Sequence, residues 1–81
     1  MLTQTLIKTQ ELDFEGHAYS IHYFEVTTDR GTHRYSSELV LAPGDRIIVD
    51  GSSLGDLEWR VAHLMPATLY SRALAARATT T

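Results

Sequence analysis

Apolar and polar residues alternate through most of the first fifty positions, and breaks in that alternation divide the chain into strand-length pieces. Residues 2–12 alternate imperfectly, with Leu2, Leu6 and Leu12 set among Thr, Gln, Lys and Glu, which predicts a first strand at a sheet edge. Phe14-Glu15-Gly16-His17 reads as a tight turn, because Gly16 supplies the positive φ that a two-residue hairpin needs. From His17 to Thr28, β-branched and aromatic residues dominate: Tyr19, Ile21 and Tyr23 take one face, and His22, Phe24 and Val26 the other. Neither face is wholly polar. The strand is therefore expected in the middle of the sheet, its second side covered by a closing barrel, the C-terminal segment or another subunit.

The breaker Thr28-Asp29-Arg30-Gly31-Thr32 is read as a two-residue loop at Arg30-Gly31. That sets Thr28 opposite His33, Val26 opposite Tyr35, Phe24 opposite Ser37 and His22 opposite Leu39, gathering Val26, Tyr35, Phe24, Leu39 and Leu41 on one face. A three-residue loop, Asp29 to Gly31, shifts the pairing by one and loses that agreement. Pro43-Gly44-Asp45 is a second turn: Pro presets one φ, Gly accepts a positive one, and Asp bonds its own backbone. Further strands are expected at about 33–41, 45–50 and 57–65. In the last, Leu57, Trp59, Val61, His63 and Met65 alternate with Glu58, Arg60, Ala62 and Leu64, which makes Trp59 the largest core residue. Pro66 then opens an Ala-rich amphipathic helix at about 67–77, and 79–81 is expected to be a disordered tail.

These elements predict a mainly β protein in one domain, residues 1–78: a five-stranded antiparallel meander forming a small, partly open barrel with one C-terminal helix. The Pro-Gly-Asp turn, the Ile/Val strand and the Trp-Arg-Val strand resemble small SH3-like barrels over residues 39–65, as a pattern of turns and strands without a family signature. An OB-like barrel is the alternative, but it wants a helix where Pro43-Gly44-Asp45 leaves no room.

Composition narrows the functional field more than it fills it. At 81 residues the core must be small, and a two-substrate enzyme with a deep cleft is not expected. The absence of cysteine excludes a disulfide scaffold and any thiolate zinc site. The N-terminus lacks a basic region followed by an apolar block, and no run reaches the length of a membrane span, so the expected location is the cytoplasm. Net charge is −3, which gives no general pull toward nucleic acid. All ten carboxylates lie in residues 1–59 beside four basic residues, whereas residues 60–81 carry Arg60, Arg72 and Arg77 and no acid.

Chemistry is sparse. His17, His22, His33 and His63 show no HxH or HxxxH spacing, and the expected register keeps His22 and His33 roughly 20 Å apart at about 3.3 Å per residue. No serine stands in a nucleophile elbow, and Gly44, Gly51 and Gly55 form no phosphate loop. No catalytic, cofactor-binding or metal-ligating residue is assigned.

The leading expectation is a non-enzymatic interaction module, self-associating as a homodimer or accessory to a larger assembly. A two-sided apolar strand, an open edge and an Ala-rich helix leave surface that a lone small domain does not cover. The candidate partner-binding surface is Tyr19, Ile21, Tyr23 and Arg46. A barrel binding single-stranded nucleic acid through Tyr19, Tyr23 and Tyr35 beside Arg34, Arg46 and Arg60 is the alternative, disfavoured by the acid excess. A small-ligand or metal-dependent enzyme is the remote third.

Overall fold

In a computed structural model, which describes residues 3–78, the chain forms four strands followed by one long helix. The strands are β1 (Thr3–Phe14), β2 (His17–Thr27), β3 (His33–Ala42) and β4 (Asp45–Gly51), and the helix is α1 (Leu54–Ala78). All four strands join one antiparallel sheet in the order β1-β2-β3-β4, so consecutive strands are neighbours and β1 and β4 are its edges. The protein is therefore mainly β with a C-terminal helix. The expected fifth strand is absent among the described residues, and the sheet there is open, with no barrel closure. Residues 79–81, the expected tail, lie outside the described residues.

The missing strand is the first half of α1. Ser53 caps the helix, its Oγ accepting from the Asp56 backbone N–H at 3.1 Å. The Asp56 carboxylate reaches back past the cap to accept from the Ser52 N–H at 3.2 Å, so the Ser-x-x-Asp step ties down the chain entering the helix much as a capping box does. The burial period then settles the matter. Leu57, Val61, Met65 and Leu69 are buried at every fourth position, whereas a strand would have buried Leu57, Trp59 and Val61. Trp59 is 62% exposed and is not a core residue. Pro66 lies inside the helix instead of opening it, removing the donor that would serve the Ala62 carbonyl. The helix expected at 67–77 is the second half of this longer one.

The β2–β3 hairpin takes the three-residue loop. Ile21 pairs with Leu39, Tyr23 with Ser37 and Glu25 with Tyr35, one residue away from the expected register. Thr28 and Thr32 close the loop: the Thr28 N–H donates to the Thr32 carbonyl at 3.0 Å, and the Thr32 N–H to the Thr28 hydroxyl at 3.2 Å. Gly31 takes φ +77°, the left-handed conformation that completes a three-residue hairpin loop. A one-residue shift exchanges partners across the pair. Tyr23, Ile21, Ser37 and Leu39 thus share the face that receives α1, while Phe24 and Val26 go to the other side with Ser36 and Arg34.

The Glu15-Gly16 turn lies where the sequence places it, with Phe14 opposite His17. A bulge at Ile7, between Leu6 and Lys8, explains the imperfect alternation of β1. Leu6 faces away from the helix with Phe24, whereas Leu12 and Phe14, also at even positions, face toward it.

The core is a single seam between the sheet and α1: Ile21, Tyr23, Leu39, Ile47 and Val49 below, Leu57, Val61, Met65 and Leu69 above. Ser37 is buried among them and donates to the Val49 carbonyl at 3.3 Å. The helix starts close to the sheet because Gly51 carries no side chain; a Cβ there would lie 2.9 Å from the Leu57 backbone. Surface ion pairs tie the helix flanks to the sheet, Lys8 to Glu58 at 3.0 Å, Arg77 to Glu15 at 3.2 Å, and Arg72 to Asp45.

Candidate interaction surface

The four residues singled out from the sequence divide between the two faces of the sheet. Ile21 and Tyr23 are buried under α1, and Tyr19 is half-buried beside them. Arg46 lies on the opposite face, where it meets Glu38 at 3.7 Å. The structure brings Tyr19, Ile21 and Tyr23 together, but as floor and core instead of as exposed surface.

Tyr23 closes the end of the core nearest the start of α1. Its hydroxyl donates to Gln10 Oε1 at 2.7 Å, and the Lys8 ammonium sits 4.8 Å from its ring centre. Burial raises the Tyr23 hydroxyl above its ordinary range, and the Glu58 carboxylate nearby adds to the rise. Between β1 and α1 runs a groove in two parts. One, about 240 Å³, lies between Gln10 and Leu12 on β1 and Ala62 and Pro66 on α1. The other, about 400 Å³, is floored by Phe14, Tyr19, Leu41 and Leu69 and rimmed by Arg72 and Arg77. Arg72 already holds Asp45 of β4, and Arg77 holds Glu15 of the β1–β2 turn.

The surface that sequence reading missed is the outer side of α1. At about 100° per residue, Trp59, His63, Tyr70 and Leu74 fall within about 60° of one another, roughly opposite the buried stripe. Trp59, Tyr70 and Leu74 are 62%, 53% and 45% exposed. The Trp59 and His63 rings stack with centres 4.1 Å apart, and His63 Nδ1 is 2.8 Å from the Trp59 carbonyl, which fixes both side chains against the helix. The spacing 59, 63, 66, 70, 74 is the signal in the sequence, masked because a strand at 57–65 turns Trp59 and His63 inward.

The outer face of the sheet is mixed. Leu6, Val40 and Ile48 are exposed there, with Phe24 and Val26 half-buried. Alternation along the strands also brings Glu11, Asp13, Glu38 and Asp50 to this face against Arg34 and Arg46, an acidic excess.

His17 lies on the groove side and His22 on the outer face; His33 meets Glu25 at 3.5 Å, and His63 rides on α1. Among the described residues no group of three or more His, Asp or Glu side chains is placed to hold a metal ion, and no helix is long and apolar enough to cross a membrane. No family model, curated protein or solved structure matches the chain.

Proposed function

We propose that the chain is a non-enzymatic interaction module that works by self-association. One observation carries this reading. α1 is apolar on two opposite sides, and its own sheet covers only one of them. Among the described residues, eight large apolar side chains are exposed against nine that form the core, a poor division for a domain that stays alone in water. A symmetric partner covers such a face without any second gene product, because a self-complementary patch on one copy meets the same patch on the other.

The alternative of single-stranded nucleic acid binding has less to stand on. Tyr23 is buried, Tyr19 and Tyr35 lie on the same helix-covered side, and the bare face of the sheet carries more carboxylates than arginines. Sedimentation velocity across a micromolar concentration series tests the proposal. The expected result is a weight-average mass that climbs from one chain toward two, and a single-chain mass at every concentration would refute it.

A further inference from the structure

We infer that two copies pair through the outer stripe of α1 in antiparallel orientation, about a two-fold axis at the Pro66–Ala67 step. This deepens the self-association reading and rests on it. The stripe is palindromic in position: Trp59 and Leu74 stand equally far from that step, as do His63 and Tyr70, with Pro66 and Ala67 at its centre. A two-fold axis there sets Trp59 against Leu74 of the second copy and His63 against its Tyr70, and the two contacts repeat by symmetry. Successive seam positions 59, 63, 66, 70 and 74 are three or four residues apart, the spacing by which two helices keep a continuous line of contact. The centre of the seam carries the small Ala67 and the compact Pro66 ring, which lets the axes approach to the usual 8–10 Å, about the distance of packed helices.

Charge selects the antiparallel arrangement. On the outer side of α1 Asp56 stands at the start and Arg77 at the end, whereas Glu58 and Arg72 lie on the sheet side, held by Lys8 and Asp45. Antiparallel pairing sets Asp56 of each helix level with Arg77 of the other and opposes the helix dipoles favourably. Parallel pairing lays like on like. Arg77 also holds Glu15 of its own chain at 3.2 Å. The bare face of the sheet fits a second copy less well, since each copy would bring Glu11, Asp13, Glu38 and Asp50 against only Arg34 and Arg46, an acidic excess on both sides.

The chain has no cysteine, so a single introduced thiol reports the geometry cleanly. Ala67 is exposed beside the axis, and in the proposed pair two copies of it come within reach of a disulfide, whose Cα atoms lie about 7 Å apart or less. The experiment oxidises Ala67→Cys and, as a comparison, Ile48→Cys on the outer face of the sheet, and measures dimer mass for Tyr70→Glu and Ile48→Glu by sedimentation equilibrium. Circular dichroism checks that each variant is folded. The expected result is rapid cross-linking of Ala67→Cys alone, and a dissociation constant raised about 30-fold or more in Tyr70→Glu with Ile48→Glu unchanged. A wild-type dimer that resists Tyr70→Glu, or that cross-links through Ile48→Cys and not Ala67→Cys, overturns the helix pairing and leaves self-association standing. A wild-type chain that sediments as a monomer throughout overturns both.

Discussion

Leu57 and Trp59 stand two residues apart on α1 and do opposite work. Leu57 is fully buried against β4, so Leu57→Ala removes core contacts and is expected to cost about 2–5 kcal/mol. Trp59, the larger residue, touches no core; Trp59→Ala is expected to shift stability by no more than about 0.5 kcal/mol when unfolding by urea is followed at high dilution. Gly51 is a third diagnostic. Its missing Cβ would meet Leu57 backbone at 2.9 Å, so Gly51→Ala must push the start of the helix off the sheet, at about 1–3 kcal/mol in the same urea titration.

Two titrating groups add a pH signature. Tyr23 has its hydroxyl raised above its ordinary value of 10.0, first by burial and then by Glu58, so the folded chain favours the protonated ring. That contribution is complete below pH 10 and is lost as pH climbs through the raised value. Asp56 is held below its ordinary 3.8 by the Ser52 N–H and then by Arg60, so its contribution is present above that value and fades as pH falls through the lowered one. Thermal melts across pH are expected to weaken at both ends, with Tyr23→Phe removing the alkaline loss that belongs to this ring.

At the scale of elements, α1 depends on its start. Ser53→Ala removes the cap and is expected to cost about 1 kcal/mol, seen as faster hydrogen exchange in the first turn and a lower urea midpoint. The strands were legible in the sequence because turn chemistry punctuates them: Glu15-Gly16, the Thr28–Thr32 loop and Pro43-Gly44 fix where β1 to β4 begin and end to within a residue or two. The β2–β3 register was not legible, since both loop lengths are compatible with Gly31, and only closure between Thr28 and Thr32 decides.

The first half of the helix is ambiguous in the sequence for a related reason. Leu57, Val61 and Met65 satisfy a period of two as well as a period near four, and Trp59 and His63 between them favoured the strand. The Ser53-x-x-Asp56 step and the continuation of the fourfold pattern to Leu69, across Pro66, are the signals that separate the two. The alternation of Tyr19, Ile21 and Tyr23 places them on one face, but it does not show that the helix, which begins at Leu54 and not near residue 67, covers that face and leaves its own outer stripe exposed.

For the whole molecule, the dimensions reflect a core one seam wide. The radius of gyration is 14.3 Å. A compact domain of this length has one of about 12 Å. One side of the 25-residue helix covers the sheet, and its outer side remains in water. Pairing two such helices would make four layers, sheet, helix, helix and sheet, and would turn the weakest feature of the single chain into the centre of a larger core. In that arrangement folding and association are coupled, because dissociation returns Trp59, Tyr70 and Leu74 to water.

That coupling gives the most direct measurement of the claim that the outer side of α1 is an interface. The thermal midpoint of the wild-type chain, followed by circular dichroism over a hundredfold dilution series, is predicted to rise with protein concentration, while that of Tyr70→Glu stays at one value. A wild-type midpoint that does not move with concentration, alongside a single-chain mass at the highest concentration, would contradict it.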